Sequence, residues 1–240
     1  MAGFEPEEKV LLPTVLQSWR HVTFLHWPYE PEVVARLLPD GLEPDVRDGA
    51  AWVSLTPFRV ERFRLPLLPP LPCLSYFPET NVRTYAIGPT GRDGLWFFTL
   101  EADSLLTTAG ARLGYGVAYR WADMWVDRQD DEVTYWSEGR GWRRPVHHRI
   151  TVQRGSPLAG HELSDLDHWL TGRWRGWTRL AGRLAEVPAQ HQPWPLWGAE
   201  VVTLEETLLQ SVGLPPPGDA PLVHFSPGVD VRLGPPRLVG

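Results

Sequence analysis

Four side chains that could do chemistry recur at two-residue spacing in the stretch Glu79-Thr-Asn-Val-Arg-Thr-Tyr85. Successive side chains of a β-strand point to opposite faces, so in a strand over 79–87 the acid, amide, guanidinium and phenol share one face. That face consists of Glu79, Asn81, Arg83 and Tyr85. This face is either an ordinary solvated surface, or it is buried and its polar groups form hydrogen bonds with each other, with water or with a ligand. The other face, two threonines and a valine, is too small for a good core, which favours the inward interpretation.

An inward set of this kind could bind and process a small anion. A guanidinium grips a carboxylate through two parallel hydrogen bonds, so Arg83 would anchor the ligand while Asn81 and Tyr85 orient it. Glu79 would serve in proton transfer if burial raises its pKa. These groups bring acid–base isomerisation, hydration or aldol-type cleavage of a carbonyl compound within reach.

A second candidate region lies where a predicted helix end meets a strand, in Arg112-Leu-Gly-Tyr-Gly-Val-Ala-Tyr119. Two glycines, Gly114 and Gly116, would let backbones approach closely. The polar tips that could contact a ligand belong to Arg112, Tyr115 and Tyr119. The simpler interpretation, which the residues alone favour, is a helix cap followed by packing tyrosines.

The eight histidines form no recognisable metal site. None stands in an HExxH or comparable spacing, and His147 and His148 would point to opposite faces of a strand. His26 shares the Val22 and Phe24 face of an apolar strand and is predicted to be hydrogen-bonded in the core. The sequence also lacks a GxSxG turn, a Walker loop and a dinucleotide fingerprint, so we expect neither a metal nor an organic cofactor.

Composition indicates a folded globular protein. The 240 residues, 42% hydrophobic and 22% charged, predict one domain over 1–240 with 1–15 as a polar tail. Net charge is −6 and the arginines are dispersed, which argues against nucleic acid as a partner; Lys9 is the only lysine. Cys73 is alone, so no internal disulfide forms. No run reaches the roughly 18 apolar residues of a membrane span, so we expect a cytoplasmic protein without a membrane partner.

Short apolar runs separated by 25 prolines and 22 glycines are typical of a β-rich fold. Strands are predicted at 19–27, 51–58, 79–87, 94–102, 116–127, 132–141, 147–153 and 196–203, with a last pair near 222–233. Helices are predicted after Pro31, from Asp103, after Ser164, and from a Thr203–Glu206 capping box to Gly213. The fold class is therefore mainly β (α+β), with a largely antiparallel sheet that is curved or closed to remove its edges.

Several of these stretches together resemble the DUF2071, or YqjF-like, family of bacterial proteins. The resemblance covers nearly the whole chain and is carried by FLHWPYEPEVVARLLPDGLEPD, ETNVRTY, GLWFFTLEAD with the turn that follows, HWLTGRW, HQPWPL and HFSPGVDVRLGPP. One position departs: where the family usually has Leu-Thr-Glu-Arg-Tyr, this chain has Leu-Thr-Gly172-Arg173-Trp174. Any role of that glutamate therefore does not carry over.

The resemblance implies the fold of acetoacetate decarboxylase, a curved antiparallel sheet closing into a cone-shaped barrel with a central cavity. It supports the inward interpretation of the Glu79 face and matches Glu79 with the pocket glutamate of the decarboxylase. That enzyme uses a desolvated lysine as a Schiff-base nucleophile. The lysine would fall near Tyr115 and Gly116, where this chain has none, and Lys9 in a polar tail does not replace it.

Three functions remain open at this point. The barrel is expected to hold a small-molecule pocket, for an anionic carboxylate or carbonyl metabolite, that works by acid–base chemistry without a Schiff base. The same pocket would alternatively bind its ligand without turnover, as a carrier or sensor. In the third interpretation Glu79 and Arg83 form a purely structural polar network. The proline-rich segment before the last strands is compatible with a partner subunit, so a homo-oligomer also remains open.

Overall fold

β-Strands make up most of the chain in the computed structural model, which describes residues 5–72, 74–104, 110, 114–140 and 145–239. The strands are β1 Val15–Tyr29, β2 Glu43–Pro44, β3 Val46–Arg47, β4 Ala50–Arg64, β5 Phe77–Ile87, β6 Asp93–Ala102, β7 Tyr119–Gln129, β8 Glu132–Gly139, β9 His147–Pro157, β10 Arg175–Leu180, β11 Arg183–Gln190, β12 Trp197–Glu206, β13 Leu222–Leu233 and β14 Arg237–Leu238. Three short helices lie wholly within the described residues: α1 Pro31–Ala35, α2 Asp165–Thr171 and α3 Leu208–Ser211. No helix among the described residues is long and apolar enough to cross a membrane.

Two closed rings of strands share five members. Nine strands close a barrel in the order β6-β7-β8-β9-β12-β13-β1-β4-β5. The β10–β11 hairpin also joins β6 to β13 and so closes a second ring of seven strands. The sheet forks at β6, whose residues 95–96 pair with β10 and whose residues 100–102 pair with β7. Each shared strand therefore turns one face toward each ring interior.

The nine-strand ring is filled by an apolar core. Wholly buried members of this core come from six strands and from α3: Leu25, Trp27, Leu55, Val82, Tyr135, Ile150, Leu208, Leu209 and Phe225. Burying side chains of this size stabilises the fold by roughly 1.5–3 kcal/mol each. This core explains why the run 19–27 is apolar on both faces, as the sequence predicted: β1 is a shared strand, and residues 22–27 are all buried.

The seven-strand ring needs two irregularities to direct its side chains inward. His21 in β1 (φ +50°) and Arg62 in β4 (φ +55°) lie at register shifts where one strand has an extra residue. A β-bulge of this kind resets the alternation of faces. Trp19 and Phe24 consequently line the same cavity although their spacing is odd.

Two helix predictions are confirmed in place and one is wrong. α1 begins at Pro31, and α2 follows Ser164 in a capping box with Asp167. The helix predicted from Thr203 is instead the end of β12, because residues 203–206 pair with β9. α3 starts after Thr207. The Glu206 carboxylate accepts the N–H of Leu209 at 2.9 Å, whereas the predicted capping box paired it with the N–H of Thr203. The helix predicted from Asp103 falls largely outside the described residues.

The mainly β fold class and the eight predicted strand cores are confirmed, with two corrections. The expected pair near 222–233 is one twelve-residue strand, β13. The hairpin of β10 and β11 was not predicted, because its turn uses Ala181 (φ +50°) and Gly182 (φ +79°). Ala-Gly lacks the Asn or Asp that usually marks two-residue turns with two positive φ angles.

The segment that precedes β1 packs against the second ring. Glu7 pairs with Arg175, and Glu8 pairs with Arg237 at 2.9 Å. The Val10 side chain is buried, and its backbone N–H donates to the Gln190 side chain at 2.8 Å. Residues 5–14, although polar in composition, thus lie along the outside of the domain.

The α2 capping box gives a first testable prediction. The Ser164 hydroxyl accepts the Asp167 N–H at 3.2 Å, while the Asp167 carboxylate accepts the Ser164 N–H at 2.7 Å. Ser164→Ala removes one half of this exchange and is expected to lower the free energy of unfolding by about 1 kcal/mol, measured by urea denaturation. Ser156→Ala, at an exposed position of β9, is the control, with an expected change within about 0.5 kcal/mol. Equal effects of the two substitutions would contradict a capping role.

Candidate functional site

A cavity of about 440 Å³ occupies the interior of the seven-strand ring. Every strand of that ring contributes to its wall, because the shared strands turn their second face toward it. Most of the wall is apolar, and its aromatic members are Trp19, Phe24, Phe58, Phe63, Phe77, Phe97, Tyr115, Tyr119, Trp177 and Trp194. This volume lies within the range of about 300–1,000 Å³ typical of pockets for organic ligands.

The polar face of β5 divides between the cavity and the protein interior. Glu79, Asn81 and Arg83 line the cavity, whereas Val82 belongs to the core of the nine-strand ring. Tyr85 is fully buried and is not among the residues that line the cavity. Its hydroxyl donates to the Leu170 carbonyl at 2.8 Å and lies 2.8 Å from the Ser54 hydroxyl. Tyr85 thus supports the wall behind Arg83.

Glu79 sits in surroundings that favour its neutral form. Its side chain is 6% exposed, and burial raises its pKa to about 8, although a hydrogen bond from the Tyr119 hydroxyl works in the other direction. That hydroxyl donates to Glu79 Oε2 at 2.8 Å. Burial and the neighbouring carboxylate together raise the pKa of Tyr119 well above its usual value, so Tyr119 stays protonated. The pair therefore offers a carboxyl group that can gain or lose a proton near neutral pH.

Arg83 is a buried cation without a carboxylate partner among the described residues. Its exposure is 7%, its guanidinium carbon lies 5.3 Å from the centre of the Phe24 ring, and its Nε has no hydrogen-bond partner. Burial lowers its pKa, although proximity to Tyr85 opposes the shift. Asn81 Oδ1 is likewise buried without a partner. Both groups border the cavity, where a ligand would satisfy them.

Two further arginines, Arg173 and Arg175, line the cavity and were not predicted as site residues. Arg173 donates to Asp45 at 2.7 Å and to Asp93 at 2.6 Å, and Arg175 donates to the Asp93 backbone carbonyl at 2.5 Å and pairs with Glu7. The alternation Arg173-Trp174-Arg175 could have revealed two cations on one face. Their acidic partners lie outside the cavity lining. The positive charges of both arginines are therefore compensated by carboxylates of the protein itself.

The second candidate region contributes two tyrosines to the cavity. Tyr115 lines it and its hydroxyl forms a short hydrogen bond with Thr14, and Tyr119 holds Glu79 as described. Arg112 lies outside the described residues. Gly116 has φ +66°, and a Cβ there would lie 2.1 Å from the Arg179 carbonyl oxygen. The close backbone approach predicted for this glycine is therefore present, against β10.

Four of the eight histidines are buried, and one of these four, His191, lines the cavity. His26 is fully buried, with Nδ1 2.6 Å from the Ser54 hydroxyl, which confirms the predicted hydrogen-bonded core histidine. His148 is also buried, and its Nε2 lies 3.0 Å from the Thr80 hydroxyl. His224 Nε2 lies 3.0 Å from the Asp167 carboxylate. Within the described ranges, no three His, Cys, Asp or Glu side chains converge on a position suited to a metal ion.

No lysine side chain lines the cavity. Lys9, the only lysine of the sequence, is exposed in the segment before β1 and is not part of the cavity wall. The chain thus has no lysine at the site to form a Schiff base with a carbonyl ligand.

Comparison with solved structures identifies the fold. Acetoacetate decarboxylase from Legionella pneumophila superposes with a TM-score of 0.66 at 12% identity, over 99% of this chain and 93% of that one. An acetoacetate decarboxylase-like enzyme from Sphingomonas wittichii gives 0.66 at 13% identity, over 98% and 96%. The enduracididine biosynthesis enzyme MppR, complexed with pyruvate, gives 0.63 at 17% identity, over 98% and 93%. The chain has the acetoacetate decarboxylase-like fold, as the resemblance implied.

Sequence comparison identifies the family. The uncharacterized protein YqjF of Bacillus subtilis is 34% identical over 221 residues, which cover 92% of this chain and 90% of that protein. The model of DUF2071, described as an uncharacterized conserved protein, matches residues 16–230, from the second residue of β1 into β13. The chain therefore belongs to the DUF2071 family.

Proposed function

We propose that the cavity of the seven-strand ring binds a small carboxylate, with Arg83 as its anchor. The observation that carries this proposal is the charge of the wall. Arg83 is buried there without a described carboxylate partner, while Arg173 and Arg175 have theirs. A buried unpaired cation is costly, and an anionic ligand would compensate it through two parallel hydrogen bonds.

Glu79 carries the proton chemistry in this proposal. With a pKa of about 8 it is mostly protonated at neutral pH, while its ionised form remains accessible. Tyr119 holds Oε2, which leaves Oε1 to contact the ligand. Four residues of strand, roughly 13 Å, separate Glu79 from Arg83, and Asn81 lies between them. One ligand would thus place its carboxylate at Arg83 and a carbonyl or hydroxyl group toward Glu79.

The reaction class that fits these groups is acid–base chemistry at a carbonyl compound, such as enolisation, hydration or aldol-type cleavage. Glu79 would take a proton from carbon or oxygen and return it, so no covalent bond to the protein is needed. A protein of the same fold, MppR, has been seen with pyruvate, which supports an oxo acid as a reasonable first probe. The missing lysine separates this chemistry from a Schiff-base mechanism.

Binding without turnover is the second candidate function, favoured by the absence of a lysine and by the largely apolar wall. The two are separated by methyl-proton exchange of pyruvate in D₂O, followed by proton NMR with parent protein and Glu79→Gln. Exchange that is accelerated by the parent and lost in the variant supports catalysis. Binding of pyruvate without accelerated exchange supports a carrier or sensor.

Replacing Arg83 tests the anchor itself. Arg83→Gln is expected to weaken butanoate binding by roughly 10- to 100-fold, because charge-assisted hydrogen bonds are lost, as measured by isothermal titration calorimetry. Arg149→Gln, which removes an exposed arginine from β9, is the matched control and should leave the affinity unchanged. Should Arg83→Gln fold and bind butanoate as tightly as the parent, Arg83 and Glu79 would revert to a structural polar network.

A further inference from the structure

The wall beside the polar face of β5 is built from packed aromatic rings. Trp19 and Trp194 are stacked with centroids 6.0 Å apart, and Phe24 meets Trp194 edge-on at 5.0 Å. Phe58 meets Trp19 edge-on at 5.7 Å. All four rings line the cavity. A compact, oxygen-rich acid would leave these rings facing water, whereas an apolar body would cover them.

The charge pattern allows for one anionic group. Glu79 is the only carboxyl group among the described residues of the wall, and burial favours its neutral form. Arg173 is neutralised by Asp45 and Asp93, and Arg175 is paired with Glu7. Among the arginines that the structure describes in the wall, this leaves Arg83 without a carboxylate partner. A second carboxylate on the ligand would find no second unpaired arginine among the described residues of the wall, and its burial would carry a considerable desolvation cost.

The volume sets the size of the apolar body. A cavity of about 440 Å³ would hold on the order of 15 water molecules at roughly 30 Å³ each. A three- or four-carbon oxo acid would fill less than half of that space. An acid with six to ten carbon atoms, in the size range of roughly 10 non-hydrogen atoms, would fill most of it.

The surface around the cavity at one end of the seven-strand ring is also apolar. Leu65 lines the cavity and is also 52% exposed, so the cavity reaches the surface beside the segment 65–72. The next leucines of that segment, Leu67, Leu68 and Leu71, are exposed as well. Leu16 pairs with Arg64, which brings the exposed Leu11 and Leu12 to the same end of the sheet. An apolar ligand would enter past an apolar rim.

We propose that the ligand of this cavity is a monocarboxylic acid with an apolar body of roughly six to ten carbon atoms. The carboxylate lies at Arg83, and the body lies against the rings of Trp19, Phe24, Phe58 and Trp194. This inference rests on the proposed function, because it keeps Arg83 as the anchor, and it adds the class of molecule that is bound.

A series of straight-chain acids tests the class. Butanoate, hexanoate, octanoate and decanoate are titrated into the protein at pH 7 by calorimetry and by tryptophan fluorescence. Each added methylene is expected to tighten binding about three- to fourfold up to octanoate, on the order of 200-fold over four methylenes. Octanol and octylammonium, which have the body without the carboxylate, should bind at least roughly 10-fold more weakly than octanoate.

Variants keep the two proposals separable. Trp194→Ala should weaken octanoate by roughly 10-fold or more and butanoate far less, and Trp125→Ala, on the outer face of the barrel, should change neither. If butanoate and octanoate bind equally and both are lost in Arg83→Gln, the apolar class is overturned while the carboxylate site stands. If the parent and Arg83→Gln bind every acid of the series with the same affinity, the carboxylate anchor is overturned, and with it the monocarboxylate class. If no acid of the series binds, both proposals are overturned.

Discussion

Trp177→Ala should lower the free energy of unfolding by about 3–5 kcal/mol, the usual range for removing a wholly buried aromatic side chain. Trp177 is 1% exposed and packs where Leu42 and Ala86 meet β10. A Cβ on Gly88 or on Gly94 would come within 2.4 Å or 2.7 Å of its ring, so both glycines exist to make room for the indole. The indole N–H also donates to the Ala86 carbonyl at 3.3 Å.

The loss of stability in Trp177→Ala should exceed that caused by removing a tryptophan side chain from the outer surface. Trp125→Ala removes a tryptophan that is 42% exposed and stacked on Trp136 with centroids 6.0 Å apart, and an expected loss below about 1 kcal/mol makes it the control. Urea unfolding of the two variants beside the parent gives the comparison. Similar losses in both would mean that Trp177 does not hold β10 against β5 and β6 as its contacts indicate.

Glu79→Gln should stabilise the protein by about 3 kcal/mol at pH 7, since the 2.5 units between pH 7 and the usual pKa of 4.5 each correspond to about 1.4 kcal/mol. The folded protein retains a proton on Glu79 up to a pKa of about 8, whereas the unfolded chain releases it above 4.5. Stability from this group is therefore complete below pH 4.5 and is lost progressively as the pH rises to 8. Glutamine is always neutral and keeps an acceptor for the Tyr119 hydroxyl.

The difference in unfolding free energy between parent and variant isolates the contribution of Glu79. The histidines that are buried in their neutral form contribute equally to both proteins, and their contribution to stability rises with pH where that of Glu79 falls. Unfolding free energies at pH 4.5, 6, 7 and 8 should coincide at the acid end and diverge upward for Glu79→Gln. Glu132→Gln, at an exposed position of β8, is the control and should stay within about 0.5 kcal/mol of the parent throughout. Parallel curves for Glu79→Gln and the parent would show that Glu79 ionises normally in the folded protein.

The part of the site that the sequence predicted depends on local periodicity. The two-residue alternation in 79–83 is enough to group Glu79, Asn81 and Arg83, and the structure places all three in the cavity wall. Tyr85 continues the same alternation, yet it lies behind the wall because its hydroxyl bonds to Ser54 and the Leu170 carbonyl. Periodicity groups residues by face, and it does not define where along the strand the cavity ends.

The part that the sequence did not predict depends on pairing between distant segments. Trp19 and Phe24 face the same cavity only because the bulge at His21 inserts one residue against β4. Arg173 lies 80 residues from Asp93 and 128 from Asp45, so its neutralisation has no local signal. The second ring likewise arises from contacts of β10 with β6 and of β11 with β13, which no short window of sequence contains.

The shared wall limits how this molecule can change. In β5, the odd-numbered residues from 79 to 83 face the cavity, whereas Val82 faces the apolar core of the nine-strand ring. Neighbouring residues of this strand therefore serve either the cavity or the core. Substitution at an odd position would alter the ligand and leave the packed core intact. Insertion or deletion of a single residue would exchange the two faces, sending Arg83 into the core and Val82 into the cavity. Diversification of this domain is therefore expected to proceed through substitutions in the five shared strands, with changes of length confined to strands that belong to one ring.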